Sequence, residues 1–310
     1  MQKRALGKTG LEVSRLGFGA ASLGEEYGQS HLDAALRAVP HALDVGIDFF
    51  DTAPYYGRGR SEVLLGLALR GIPRDRYRIC TKVGRFGVAR FDYSAARVEE
   101  SVDTSLARLG VDHLDVVICH DVEFVDPAVV VEDAIPTLRR LQQEGKIGAV
   151  GMSGYPMKVF REVLRQTDLD VILSYANLTL HNRSLETLLP LCEERGIGVI
   201  DAAPFDMRLL TDAGPPPWHP APQDLVDAVA RARALCHARG TTLAQLAFQF
   251  TTQHEAPAST LVGTANPAEI DQWLSWLGTP LDQELLAAVD VILAPFRDRP
   301  RSVGRPENND

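Results

Sequence analysis

The chain has 310 residues, 45% of them hydrophobic and 24% charged, which fits a globular chain with a large core and excludes a mostly disordered one. Its 32 basic and 41 acidic residues give a net charge of -9, and no Lys/Arg cluster forms a phosphate-tracking face, so nucleic acid is not an expected partner. No apolar run approaches the roughly 20 residues that span a bilayer, and MQKRALGKTG carries no apolar secretion signal, so no membrane association and a cytoplasmic location are expected.

In chain order, RALGKTGLEV reads as a hairpin around Lys8-Thr9-Gly10, placed to close the floor of a barrel. Eight short apolar or β-branched runs follow as strands: LGFGA (16–20), IDFFDT (47–52), RICTKV (78–83), LDVVICH (114–120), AVGMS (149–153), VILSYAN (171–177), GVIDAAP (198–204) and STLVGT (259–264). Amphipathic stretches at 31–45, 61–70, 94–109, 130–144, 184–195 and 223–237 lie between strands as crossover helices. Gly46, Gly71, Gly110, Gly145 and Gly196 stand where helix C-caps need a left-handed residue. This unbroken rhythm predicts a (β/α)8 TIM barrel over residues 1–298 with the hairpin capping its floor. The Pro-rich stretch AGPPPWHPAP (213–222) is expected to be an active-site loop after strand seven. The polar tail 299–310 is expected to be ordered only in its first part. Cys80, Cys119, Cys192 and Cys236 show no C-x-x-C spacing and are expected to be reduced structural thiols; no metal site is expected.

Active sites of such barrels sit at the C-terminal strand ends. Three consecutive strands end in Asp51, Lys82 and His120, with Tyr56 five residues beyond Asp51. A tyrosine of ordinary pKa, near 10, is a poor base at neutral pH, and a neighbouring ammonium such as Lys82 stabilises its phenolate. Asp51 would pair with and orient Lys82 inside the mouth, and His120 would orient the substrate oxygen or share the proton. Taken singly, each has a structural reading: Asp51 as a turn former, Lys82 as a solvated edge residue, His120 as a satisfied structural group. The four together favour proton transfer.

The segment FFDTAPYYGRGRSEVLLG (49–66) resembles the aldo-keto reductase signature D-T-A-x-x-Y-G followed by S-E-x-x-L-G. TKVG (81–84), SLARLGVDHLDVVICHD (105–121), EGKIGAVGMS (144–153) and LGKTGLEVSRLGFGA extend the likeness over nearly the whole chain. The resemblance implies a catalytic tetrad of Asp51, Tyr56, Lys82 and His120, and a nicotinamide cofactor lying across the barrel mouth without a Rossmann fold. Consistently, GFGAAS (17–22) fails the G-x-G-x-x-G pattern at its last position. CHDVEF (119–124), ILSYANLTLHNRSLE (172–186) and LLTDAGPPPWHPA (209–221) are most similar to the branch that holds L-galactose dehydrogenases and D-threo-aldose (L-fucose) 1-dehydrogenases, which implies oxidation of a sugar C1 to a lactone.

By the same resemblance Ser153, Ser174, Phe205, Met207, Gly263, Thr264, Asn266 and Glu269 would bind cofactor. Ser153-Gly154 replaces the family's Ser-Asn pair and Ser174 its strand-six Gln. Ala202 replaces the ring that stacks on nicotinamide, leaving Phe205 or Tyr175 for that role. Gly263 and Glu269 stand where NADPH-binding members carry Lys and Arg. A carboxylate there repels a 2'-phosphate and can accept from ribose hydroxyls, so NAD is expected over NADP. Glu269 also has a structural reading, as a first-turn acid favoured by a helix dipole. Tyr27, Phe86, Phe124, Trp218 and His219 are expected either to wall a sugar site or to pack loops. Two other functions stay open: an NADPH-dependent reductase of aldehydes and ketones, and a nucleotide-binding regulatory barrel without turnover. A monomer or weak homo-oligomer acting on a small sugar or carbonyl compound is expected.

Overall fold

The computed structural model describes residues 1–25 and 31–310. Strands β1 (Lys3–Ala5) and β2 (Glu12–Ser14) pair antiparallel as the expected hairpin. The remaining strands are β3 (Leu16–Gly19), β4 (Phe49–Asp51), β5 (Arg78–Val83), β6 (Arg85–Gly87), β7 (Arg90–Phe91), β8 (Leu114–Cys119), β9 (Ile147–Gly154), β10 (Val171–Tyr175), β11 (Gly198–Ala202) and β12 (Ser259–Gly263). Among the described residues eight of them close a parallel barrel in the order β10-β11-β12-β3-β4-β5-β8-β9, as the sequence predicts. The short antiparallel ribbon β6–β7, inserted directly after β5, was not expected.

Alternation along each strand divides the core. Phe49, Cys80, Val116, Ile118, Ala149, Val171, Leu173, Ile200 and Leu261 fill the lumen, and Leu6 and Val13 from the hairpin plug its floor. The alternate residues, including Phe50, Ile79, Val117, Val150, Ile172 and Val262, pack against the helices. Completely burying a side chain such as Phe50 contributes about 1.5–3 kcal/mol. A separate apolar cluster lies outside the barrel, where helices Gln223–Ala238, Leu243–Gln253 and Gln283–Leu293 meet through Leu225, Val229, Leu246, Leu285 and Val289. The five C-cap glycines all have positive φ, from 64° to 89°.

The tail corrects the sequence reading. It folds across the C-terminal face: Arg301 bonds Asp206 with both terminal nitrogens (3.1 and 2.7 Å), Asn308 donates to the carbonyls of Glu123 and Val125 (2.9 and 2.7 Å), and the Asp310 carboxylate accepts from the Met157 N–H at 2.7 Å. Its polar composition marks specific partners distant in sequence, not disorder. No helix among the described residues is long and apolar enough to cross a membrane. The four cysteines are buried free thiols.

Candidate active site

Because all eight barrel strands run parallel, their C-terminal ends share one face. Neighbouring strands set Asp51 opposite Cys80 and Lys82 opposite Ile118, so Asp51 and Lys82 both enter the mouth. Lys82 Nζ donates to Asp51 Oδ1 at 2.6 Å and to the Thr52 carbonyl at 2.8 Å, using two of its three N–H groups. Its side chain is 1% exposed and that of Asp51 6%, so neither charge is solvated by bulk water. Burial pushes the Asp51 carboxyl above its ordinary value, against the pull of the Lys82 ammonium. Lys82 Nζ also lies 4.7 Å from the centre of the Tyr56 ring.

Tyr56 opens a tight turn, Tyr56–Gly59, in which Gly57, Arg58 and Gly59 are all left-handed. A Cβ on Gly57 would meet the Gly24 carbonyl oxygen at 2.3 Å, so this glycine lets the Tyr56 turn lie directly on the loop after β3. The Ser-Glu of the signature anchors the helix that follows, Arg60–Leu69. Ser61 donates to the Ala20 carbonyl at 2.7 Å, and the buried Glu62 carboxylate accepts from Thr81 (2.8 Å), Ser105 (2.6 Å) and Arg108 (3.0 Å). Those two residues therefore hold the Tyr56 turn in place from below.

His120 follows β8, its ring edge-on to Tyr56 with centroids 5.6 Å apart and planes at 86°. Tyr55 stands edge-on to both, 5.9 Å from His120 and 6.0 Å from Tyr56. Burial lowers the His120 pKa to about 3, outweighing the neighbouring Asp121 carboxylate, so the imidazole is neutral near pH 7. Asp121 bonds Arg85 of β6, and its backbone N–H donates to Ser153 Oγ at 2.9 Å. Burial opposes charge on Asp121, but the cations around it, Arg85 above all, hold its carboxyl below the ordinary value. Glu123, buried beside them, accepts from the Tyr175 hydroxyl at 2.7 Å, and burial raises its pKa to about 8.

The structure brings the tetrad Asp51, Tyr56, Lys82 and His120 together at one mouth, with Ser153 beside it. It turns Ser174 away. Leu173 and Ala202 face the lumen, so alternation sends Ser174 outward, where its hydroxyl accepts from Asn177 at 2.9 Å. Tyr175 holds the inward position instead. Phe205 stacks on Phe248 of the helix layer, ring centroids 6.4 Å apart and planes at 19°. Met207 lies in a left-handed run, Asp206 to Arg208, pinned through Asp206 by Arg301.

At the far end of the mouth, Gly19 and Gly263 pair in register, and a Cβ on either would meet the other's backbone at 3.3 Å. They form a shelf of bare backbone, bordered by the Ser22 hydroxyl, before helix Pro267–Leu277, whose N-cap is Asn266, bonded through its side chain to the Ala268 N–H at 3.1 Å. Thr264 donates to the carboxylate of the exposed Glu269. A bare backbone shelf leading to a helix N-terminus suits a diphosphate, and the Thr264–Glu269 pair suits ribose hydroxyls, so these residues fit a nicotinamide dinucleotide.

Among the expected substrate residues, Phe124 stacks on Phe91 at 5.2 Å and borders Arg85 at the rim. Phe86 packs under Arg97 instead, at 4.1 Å. Trp218 is 59% exposed, and His219 is folded inward onto the Asp206 carbonyl at 3.1 Å, where it anchors the loop. Tyr27 lies outside the described residues. Sequence reasoning assigned no role to Arg85, Asp121 or Glu123; the charged residues flanking apolar runs in TKVGR and CHDVE were the available signal.

The aldo/keto reductase family profile matches residues 15–294. The chain belongs to the aldo/keto reductase family. This aldo/keto reductase is 41% identical over 309 residues to L-galactose dehydrogenase of Arabidopsis thaliana, covering 96% of each chain. It is 30% identical over 297 residues to D-threo-aldose 1-dehydrogenase of a Pseudomonas species, covering 86% of this chain and 90% of that one. A solved aldo-keto reductase of Bacillus halodurans in its holo form superposes over 100% of both chains with a TM-score of 0.81 and 26% identity. The branch expected from the sequence is the one these relatives represent, and the chain is an oxidoreductase.

Proposed function

We propose that this aldo/keto reductase oxidises the anomeric carbon of an aldose to a lactone, with NAD in preference to NADP as hydride acceptor. The observation that carries the reading is the Lys82 ammonium, fixed by Asp51 at 2.6 Å and lying 4.7 Å from the Tyr56 ring centre. An ammonium so placed stabilises a phenolate, and a phenolate can take the proton of the C1 hydroxyl. Bound nicotinamide supplies the two-electron acceptor for the hydride that leaves C1. Neutral His120 donates a hydrogen bond to the C1 oxygen and orients it toward Tyr56. The oxygen becomes the lactone carbonyl as the C1–H bond breaks, and the proton passes from Tyr56 to solvent, which balances aldose plus NAD against lactone, NADH and a proton.

Ser153, Met207, Tyr175, Gly263, Thr264, Asn266 and Glu269 are the residues we assign to cofactor. Glu269 supports NAD because its carboxylate already accepts from Thr264 and would repel a 2'-phosphate. The aldose names of the Arabidopsis and Pseudomonas relatives support the sugar class.

The test follows reduced-nicotinamide absorbance with NAD or NADP over L-galactose, L-fucose, D-arabinose and simple alcohols, with lactone identified by mass. The reading expects an aldose to be oxidised with NAD favoured, and Glu269→Arg to shift selectivity toward NADP. Absence of sugar oxidation, with aldehydes reduced by NADPH instead, would replace it with the carbonyl-reductase reading.

A further inference from the structure

Arg85 is the first residue of the β6–β7 ribbon, and its side chain is only 14% exposed. One terminal nitrogen bonds the Asp121 carboxylate. Its guanidinium carbon lies 4.1 Å from the Tyr55 ring centre, 5.1 Å from that of Phe124 and 5.4 Å from that of Phe91. Nε is buried and has no hydrogen-bond partner among the described residues, so the Asp121 bond and the three rings fix the plane of the group. Its two attachments lead to the same place. Tyr55 touches Tyr56 and His120 edge-on, and the Asp121 carboxylate stands 3.6 Å from His120 Nε2.

We propose that Arg85 is a positioning residue for this oxidoreductase: held by Asp121 and lying over Tyr55, it fixes the mutual placement of the Tyr56 and His120 rings. The inference rests on the reading of Tyr56 and His120 as the groups that handle the substrate proton. Tyr55 is wedged between Arg85 and the two rings, so loss of the guanidinium frees the Tyr55 face and with it the Tyr56–His120 contact. Arg85 also neutralises Asp121. The groups around His120 are Asp121 and Glu123 after β8, Lys82 of β5 with Asp51 behind it, Arg85 of β6, and Tyr55 and Tyr56 after β4, while the Tyr93 hydroxyl donates to its carbonyl. Without Arg85 the Asp121 charge faces His120 unpaired and favours imidazolium, which cannot be formed without altering the proton-handling pair.

The experiment compares Arg85→Gln and Arg85→Lys with the parent enzyme in kcat, in the pH profile of kcat and in NAD dissociation constant. The expected result for Arg85→Gln is a fall in kcat of about 10- to 100-fold, the size expected of a displaced catalytic pair. NAD affinity should stay within about twofold, and the acid limb of the profile should move to higher pH. Arg85→Lys keeps a cation for Asp121 but loses the planar group over Tyr55, so it should restore the acid limb and leave kcat reduced. If Arg85→Gln does not fold, the reduced kcat of Arg85→Lys carries the test. Both variants at parental kcat, with the limb unmoved, would overturn the proposal. A second readout needs no turnover. The His120 ring resonance of histidine-labelled protein, assigned through His120→Gln, should shift and titrate at higher pH in Arg85→Gln. A shifted resonance with no aldose oxidation by the parent enzyme keeps the placement and rejects the substrate, whereas an unchanged resonance rejects the placement itself.

Discussion

Lys82 donates to Asp51 at 2.6 Å across the β4–β5 pair, and both side chains are almost completely withdrawn from water. Neither charge has solvent to fall back on, so removing one strands the other. Asp51→Asn should leave the buried Lys82 ammonium with neutral acceptors only, and Lys82→Met should remove the charge beside Tyr56 altogether. We expect kcat to drop by about 10²- to 10⁴-fold for Lys82→Met, and by less for Asp51→Asn. Dinucleotide affinity, followed by fluorescence titration, should change little. Equal losses in affinity and turnover would place the pair in cofactor binding instead.

His120 gives the enzyme an acid-sensitive fold. Its folded pKa is about 3 against an ordinary 6.5, so between those values the unfolded chain takes up a proton that the folded chain refuses. Stability contributed by the neutral ring is complete above pH 6.5 and is lost as pH falls toward 3, at about 1.4 kcal/mol for each unit. His120→Gln carries no such proton. The difference between the two urea midpoints, measured from pH 7 to 4, should close or reverse as pH falls; parallel curves would show that His120 is not held neutral.

Asp201 is a buried cost without a catalytic role in this account. It points outward from β11, and neither carboxylate oxygen has a hydrogen-bond partner among the described residues. Burial therefore raises its pKa well above the ordinary value. The folded state holds a proton that the unfolded chain releases above about pH 4, so its contribution is greatest in acid and declines as pH rises. Asp201→Asn should stabilise the protein at pH 7 by about 1–3 kcal/mol and confer no such gain near pH 4, as read from thermal midpoints. A destabilised variant at pH 7 would mean that Asp201 has a partner it needs.

Arg301 reaches back from the tail to Asp206, which is fully buried and also faced by His181 at 3.2 Å. Burial opposes the charge, but His181, His219 and Arg301 hold the carboxyl well below its ordinary value. Arg301→Met should cost about 3–5 kcal/mol, because the Asp206 charge would remain buried without its cation. Thermal unfolding checks this, and a midpoint within 1 °C of the parent would show the tail to be incidental to the fold.

The barrel was legible because its signals are local. Glycines at positive φ end the helices where the sequence placed them, and the tetrad stands at strand ends that the hydrophobic runs already delimit. The face of each strand was harder. In VILSYAN both sides of the strand are buried, so hydrophobicity does not alternate, and a one-residue offset exchanges lumen for helix layer. Ser174, assigned by resemblance to the family's strand-six Gln, faces outward, and Tyr175 holds the inward position. Arg85, Asp121 and Glu123 were missed for a related reason: each is a charged residue whose partners lie tens of residues away, as are those of Arg301 and Asn308 in the tail. Composition reads such residues as solvated, and only the fold supplies their partners.

The most direct test of the central claim uses an aldose bearing deuterium at C1 with NAD, and mass analysis of the reduced dinucleotide. Transfer of one deuterium to the nicotinamide, with lactone as the other product and turnover lost in Tyr56→Phe while NAD still binds, is the predicted result. A reduced dinucleotide without deuterium, or unimpaired turnover in Tyr56→Phe, would contradict it.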